Sequence, residues 1–200
     1  MTYRNRPTAL LAACLTATLF LAACTNSPEA GHPDTAPPPS ATTTAGTPPS
    51  SPPASSEPIA LPTRPGNATG LTLAAAEAFV GYYVSLQNYA YTTGDPQYLL
   101  AESDQGCLGC KGISDFVKLS NGRNGGLSGD YLDHLISVKE VVRGSAGKVG
   151  GSAELRTGAY RERPSPSARP VSRSAGSATM DFTLSPAGSN WVMYEMEINE

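Results

Sequence analysis

Cys107-Leu108-Gly109-Cys110 places two thiols within one turn of chain. In a helix, residues i and i+3 lie ~5 Å apart at Cα, within disulfide range. Outside the cytoplasm such a pair is expected to oxidise. The closed loop is so small that its entropic gain is only ~2 kcal/mol. The bond is expected to fix the start of a third helix against the end of a second. Other chemistries of this spacing each lack a part. A thioredoxin-like centre follows a strand in a βαβ unit, whereas the segment before Cys107 reads as helix. A zinc site needs two further ligands, and the two histidines are His32 and His134. Covalent haem requires His after the second Cys, where this chain has Lys111. A reactive thiol pair stays open, because a helix N-terminus and Lys111 both favour a thiolate.

Asp133-His134 is the one acid–histidine pair of the C-terminal region. It reads either as acid/base machinery or as surface decoration, since the alternation around it is ambiguous. Tyr82, Tyr83, Tyr89, Tyr91 and Tyr98 crowd the first two helices. They suit core and rim packing, with the hydroxyl kept wet, or a pocket for a sugar or lipid fragment. Arg156, Arg161, Arg163, Arg169 and Arg173 surround a Pro/Ser turn. The expectation there is a long solvated hairpin loop, with attraction to anionic headgroups or wall polymers as the functional alternative. No Ser/His/Asp order, P-loop or dinucleotide fingerprint occurs, and the glycines at 122, 125, 126 and 129 lack the helix such a loop needs. No cofactor and no metal is expected.

The other two cysteines stand at the ends of a repeated tetrapeptide, Leu-Ala-Ala-Cys, which closes at Cys14 and again at Cys24. Arg4 and Arg6 precede an uncharged run over residues 8–23. That run is short for a membrane span and fits the apolar region of a signal peptide. Cleavage before Cys14 would leave Leu15, Leu19, Phe20 and Leu21 in the mature chain. Cleavage before Cys24 removes the whole apolar run and exposes a polar, Pro-rich sequence. The second box resembles that of bacterial lipoproteins, which implies a diacylglyceryl group on the Cys24 sulfur, with Cys14 in the discarded segment.

The 200 residues carry a net charge of -3; without Arg4 and Arg6, 12 basic residues face 17 acidic ones, a charge of -5. An acidic chain of this kind argues against general nucleic-acid binding. Residues 24–69 are dominated by Pro, Ser, Thr and Ala and cannot bury enough surface to offset ordering entropy. They read as a disordered tether behind a signal peptide of residues 1–23. Residues 70–200 are long enough for one domain with a core.

Within that domain Thr72 caps a predicted helix reaching residue 91, with Ala76, Phe79, Val80, Tyr83, Leu86 and Ala90 on one face, and Gly94 ends it. Asp95-Pro96 reads as N-cap and first helical position of a short helix over 97–103. A third helix is predicted over 108–119, with Ile113, Phe116 and Val117 on one side. The period then changes to two. Residues 132–142 form a bulged strand, and 149–157 and 178–184 alternate cleanly. In the terminal strand Val192, Tyr194, Met196 and Ile198 are expected to be the buried set. "SPAGSN" is the hairpin turn before it. Helices followed by a strand meander make an α+β order, with the long helix in the concave face of a curved antiparallel sheet. That arrangement is similar to the cone-like fold of the nuclear-transport-factor-2-like superfamily.

"EAFVGYYVSLQNYAYTTGD", "CLGCKGISDF" and "NWVMYEMEI", behind the cysteine box and the tether, together resemble an actinobacterial lipoprotein family known as a numbered domain of unknown function. The resemblance spans the domain from about residue 70. It implies an extracytoplasmic lipoprotein on the outer face of the cell membrane and no known catalytic residue. The expected function is non-enzymatic binding or scaffolding in the cell envelope. Its expected partners are the membrane through the lipid anchor and a wall polymer, a lipid or another envelope protein. A cone-fold enzyme using a cavity His/Asp, or a thiol–disulfide redox protein, is the alternative.

Overall fold

The structure is a computed structural model that describes residues 59–200. The signal segment, Cys14, the lipidation candidate Cys24 and the tether up to residue 58 lie outside the described residues.

Among the described residues three α-helices precede the strands: α1 Leu73–Thr93, α2 Gln97–Ala101 and α3 Leu108–Leu119. The Thr72 hydroxyl accepts the Ala75 N–H at 3.0 Å, and Gly94, with φ 79°, ends α1 in the left-handed region. Phe79, Val80, Tyr83, Leu86 and Ala90 are buried along one stripe of α1, as their spacing predicts. At α2 the cap position falls on Pro96 rather than Asp95. Asp95 nevertheless accepts the Gln97 N–H at 3.0 Å, so the predicted acceptor works one residue early.

Seven strands follow: β1 Leu127–Gly129, β2 His134–Arg143, β3 Val149–Thr157, β4 Tyr160–Glu162, β5 Val171–Arg173, β6 Gly176–Ala187 and β7 Asn190–Asn199. They form a four-stranded sheet in the order β2-β3-β6-β7 and a three-stranded sheet in the order β1-β4-β5, antiparallel throughout. The fold is therefore α+β. The Arg-rich stretch around the Pro/Ser turn is a hairpin, as expected, but its loop is shorter than expected, because β4 and β5 pair within it and lie as a short ribbon on β1.

β3 and β6 pair without interruption from Val149↔Leu184 to Thr157↔Gly176. Val149, Ala153, Leu155, Met180, Phe182 and Leu184 face the helices as one apolar surface. The Phe182 ring lies over Gly151, where a Cβ would meet it at 2.7 Å. β7 departs from its expected phase. Thr183 pairs with Glu195 but Leu184 with Met193, so Tyr194 is an extra residue opposite β6. A bulge reverses which side chains face inward on one side of it. Met196 stays inside, while Trp191 and Met193 replace Val192 and Tyr194 as the buried residues. β2 carries two register shifts, and Glu140 there has φ 55°, so the bulged reading of this strand holds.

Both edges of the larger sheet are blunted. The bulges serve β2. On β7 the Asp104 N–H donates to the Met193 carbonyl at 2.7 Å, and the Met193 N–H donates to Glu102 at 2.9 Å. The packed chain also begins earlier than residue 70. The Arg64 guanidinium lies 4.8 Å from the Phe79 ring centroid and 5.5 Å from that of Tyr82. It donates to the Trp191 carbonyl and pairs with Glu102, and Ala68 is fully buried. Residues 64–69, read from sequence as tether, thus belong to the core's rim. None of the described helices is long and apolar enough to cross a membrane.

Candidate functional site

A cleft of about 490 Å³ opens where the two sheets meet the end of α1. Tyr91 and Phe116 reach it from α1 and α3, Tyr131 and Asp133 from the connection between β1 and β2, and Tyr160 from β4. The Tyr91 and Phe116 rings meet edge to face, with centroids 6.2 Å apart. Glu162, Arg173 and Glu200 line it from the strand ends. Arg173 stands opposite Tyr160 in the β4–β5 register, and its Nε donates to Glu162 at 2.8 Å. That bond and the Glu162 charge hold the guanidinium pKa above its ordinary value.

Asp133 is the most constrained group of this cleft. Asn88 of α1 clamps its main chain from both sides: the Asp133 N–H donates to Asn88 Oδ1 at 2.8 Å, and Asn88 Nδ2 donates to the Asp133 carbonyl at 2.8 Å. Gln87, fully buried on the same helix, donates from Nε2 to Asp133 Oδ2 at 2.6 Å and to the Tyr91 hydroxyl at 3.2 Å. Burial pushes the Asp133 carboxyl from 3.8 up to about 6, against the lowering pull of the Gln87 bond and of His134. Burial, reinforced by the Asp133 charge, holds the Tyr91 hydroxyl protonated well above its ordinary range. The Tyr160 hydroxyl is raised too, by burial and then by Glu162 and Glu200.

The structure separates the two members of the Asp133-His134 pair. Asp133 faces the cleft; His134 is exposed and places Nε2 3.2 Å from Asp130 Oδ1. Neighbours on extended backbone point to opposite sides, so adjacency in sequence does not make them partners. Of the five tyrosines on the first two helices, Tyr91 lines the cleft. Tyr83 is core, sharing a 2.8 Å hydrogen bond with Ser103. Tyr89 packs edge to face on Tyr98, and Tyr82 lies under Arg64. Sequence reasoning missed Gln87, Tyr131 and Tyr160. The available signal was Gln87 itself, an amide within the apolar stripe of α1, which obliges a buried polar partner.

Cys107 and Cys110 form a disulfide with Cα atoms 5.3 Å apart, and both residues are fully buried. The bond closes the first turn of α3 on itself and does not tie α3 to α2, contrary to the expectation above. Cys107 is the N-cap, and its Sγ accepts the Cys110 N–H at 3.1 Å. The tie comes from elsewhere. Cys107 N–H donates to Asp104, and the Glu195 carboxylate of β7 accepts Leu108 N–H at 3.1 Å and Gly109 N–H at 2.9 Å. Those backbone donors, Gly109's above all, hold the Glu195 pKa below its ordinary value. Thiol–disulfide exchange needs a sulfur that a partner can reach, and neither sulfur here is exposed. Among the described residues no three His, Cys, Asp or Glu side chains gather as a metal-holding group.

Residues 50–196 match the family of unknown function DUF6318, and the chain belongs to that family. No curated protein matches it. A solved structure of the intermembrane-space region of the chloroplast protein ARC6 is similar at 18% identity and a TM-score of 0.46, over 64% of this chain and 96% of that one.

Proposed function

We propose that this member of the family is an extracytoplasmic lipoprotein, held on the outer face of the cell membrane through a lipid on Cys24. Its domain is a non-enzymatic binding module, and the cleft around Asp133 is its binding site. The cleft carries the reading. A concavity of about 490 Å³ is of ligand size, and rings with a few placed polar groups are what a small-molecule site uses. The support under Asp133 argues in the same direction. Two hydrogen bonds between Asn88 and the Asp133 main chain, and one from Gln87 to the carboxylate, hold this residue in place before any ligand arrives. Helices packed on one face of an antiparallel sheet support a nuclear-transport-factor-2-like cone, with the cleft at its mouth.

Two experiments test the reading. Fatty-acid labelling of cells should be lost in Cys24→Ala and kept in Cys14→Ala; the reverse pattern removes the anchor assignment. Native mass spectrometry of the full chain, extracted gently from its own cells, should show a bound small molecule that is lost when Tyr160→Ala and Asp133→Asn are combined. A ligand that persists in that double variant places the site elsewhere.

A second reading has one observation in its favour: a carboxyl titrating near pH 6 inside a cleft suits general acid/base work. In that case Asp133→Asn should bind the cellular ligand as the parent does and fail to convert it.

A further inference from the structure

We infer that the cleft takes an organic cation, with an alkylammonium nitrogen on the second carboxylate oxygen of Asp133 and its carbon skeleton against the rings of Tyr91, Phe116, Tyr131 and Tyr160. The inference rests on the cleft being a binding site and specifies the class of ligand.

Charge selects the cation. Three carboxylates line the cleft, those of Asp133, Glu162 and Glu200, against one guanidinium, that of Arg173. Arg173 is committed to Glu162 through two of its nitrogens. No Lys, Arg or His among the described residues forms an ion pair with Asp133; the nearest candidate by sequence, His134, pairs with Asp130 instead. Asp133 therefore sits partly desolvated with no counter-ion, a state that a bound cation would relieve.

Hydrogen bonding selects the position. Gln87 occupies Oδ2, while no donor among the described residues reaches Oδ1. The Asn88 clamp fixes the main chain of Asp133, and the Gln87 bond to Oδ2 holds the carboxylate itself. The walls complete the argument. Aromatic rings carry negative charge density on their faces and attract cations within ~6 Å, more strongly when water is excluded. An anion would meet three carboxylates against one already paired guanidinium, and a neutral sugar would leave the Asp133 charge uncompensated.

The probe is phenethylammonium, titrated against the full chain in detergent by calorimetry and by NMR of the tyrosine rings. 2-Phenylethanol and 3-phenylpropanoate, of the same shape but neutral and anionic, serve as comparisons. The ammonium compound should bind most tightly, and Asp133→Asn should weaken it at least ~10-fold, the loss of one charge-assisted contact of ~1.4 kcal/mol. The unmodified chain supplies an independent readout. The groups facing Asp133 are Gln87 and Tyr91 from α1, Tyr160 from β4 and its neighbour His134; Glu162, Arg173 and Glu200 are the other charges on the cleft. Tyr91 and Tyr160 stay protonated, and the amine stays charged, so affinity should fall ~10-fold between pH 7.5 and pH 5 as Asp133 takes up its proton. Equal or tighter binding of either comparison compound, no binding of the amine, or a pH-independent affinity overturns the cation. Binding of phenylethanol or phenylpropanoate in the cleft would do so while leaving the binding-module reading standing. A cleft silent to all three, together with no co-purified molecule, removes both.

Discussion

Asp133→Asn is expected to make the folded domain more stable at neutral pH, although it deletes the best-placed polar group of the cleft. The folded-state pKa of about 6 lies above the ordinary 3.8. Between those values the folded chain holds a proton that the unfolded chain has released. Raising the pH through this window therefore costs stability, and the whole cost is present above pH ~6. At about 1.4 kcal/mol per pH unit the gap amounts to about 3 kcal/mol, an upper bound because water reaches the half-buried carboxyl. Asparagine keeps an oxygen for the Gln87 Nε2 donor and carries no charge. The variant should therefore exceed the parent by about 1–3 kcal/mol at pH 7 and lose that advantage towards pH 4. Urea unfolding of both chains at half-unit steps from pH 4 to pH 8 measures it. Glu195 and Glu154, whose lowered pKa values give stability that is lost as pH falls, titrate alike in both and cancel in the difference. A difference that is flat with pH, or a variant less stable than the parent at pH 7, refutes the reasoning.

Three further outcomes follow from the same geometry. Cys107 and Cys110 should map as one disulfide in exported protein and resist alkylation after mild reductant, and Cys107→Ala/Cys110→Ala should cost ~2 kcal/mol in a denaturation series. His134→Ala should shift stability by no more than ~0.5 kcal/mol, since an exposed ring near one exposed carboxylate contributes little; a larger loss would show a role the fold does not reveal. Gly109→Ala should lower stability by ~2 kcal/mol or more, because the new Cβ would collide with the Met196 carbonyl oxygen; an unchanged thermal midpoint would mean that α3 lies farther from β7 than described.

The helices were legible because their signals are local: Thr72 and Gly94 bracket an apolar stripe, and Cys107 opens another. β3 and β6 were legible because a regular ladder preserves alternation. β7 was misphased at Tyr194, since a bulge is specified by its partner strand and by what lies beyond the edge, neither of which alternation contains. Three-residue strands such as β1, β4 and β5 are too short to show any period. The cleft was half legible. Asp133 stood out beside a histidine, but its working partners sit on α1, 45 and 46 positions earlier. Tyr131 and Tyr160 line one cleft because β1 and β4 pair, a non-local event with no short-range pattern.

The clamp on Arg64 has a mechanical consequence. Any pull on the chain from its N-terminal side reaches the domain at this residue before it reaches α1. The guanidinium is held at once by two rings of α1, the Glu102 carboxylate and the Trp191 carbonyl, so the load spreads over α1, the end of α2 and β7 together. Behind it the Gly70 N–H is held by the Asn190 side chain at 3.0 Å, and the Trp191 indole donates to the Thr72 carbonyl at 3.0 Å. These contacts follow Arg64 along the chain, so a pull meets them in turn once the guanidinium clamp has yielded. The first helix is thus loaded only after the ties at residues 64, 70 and 72 have been broken.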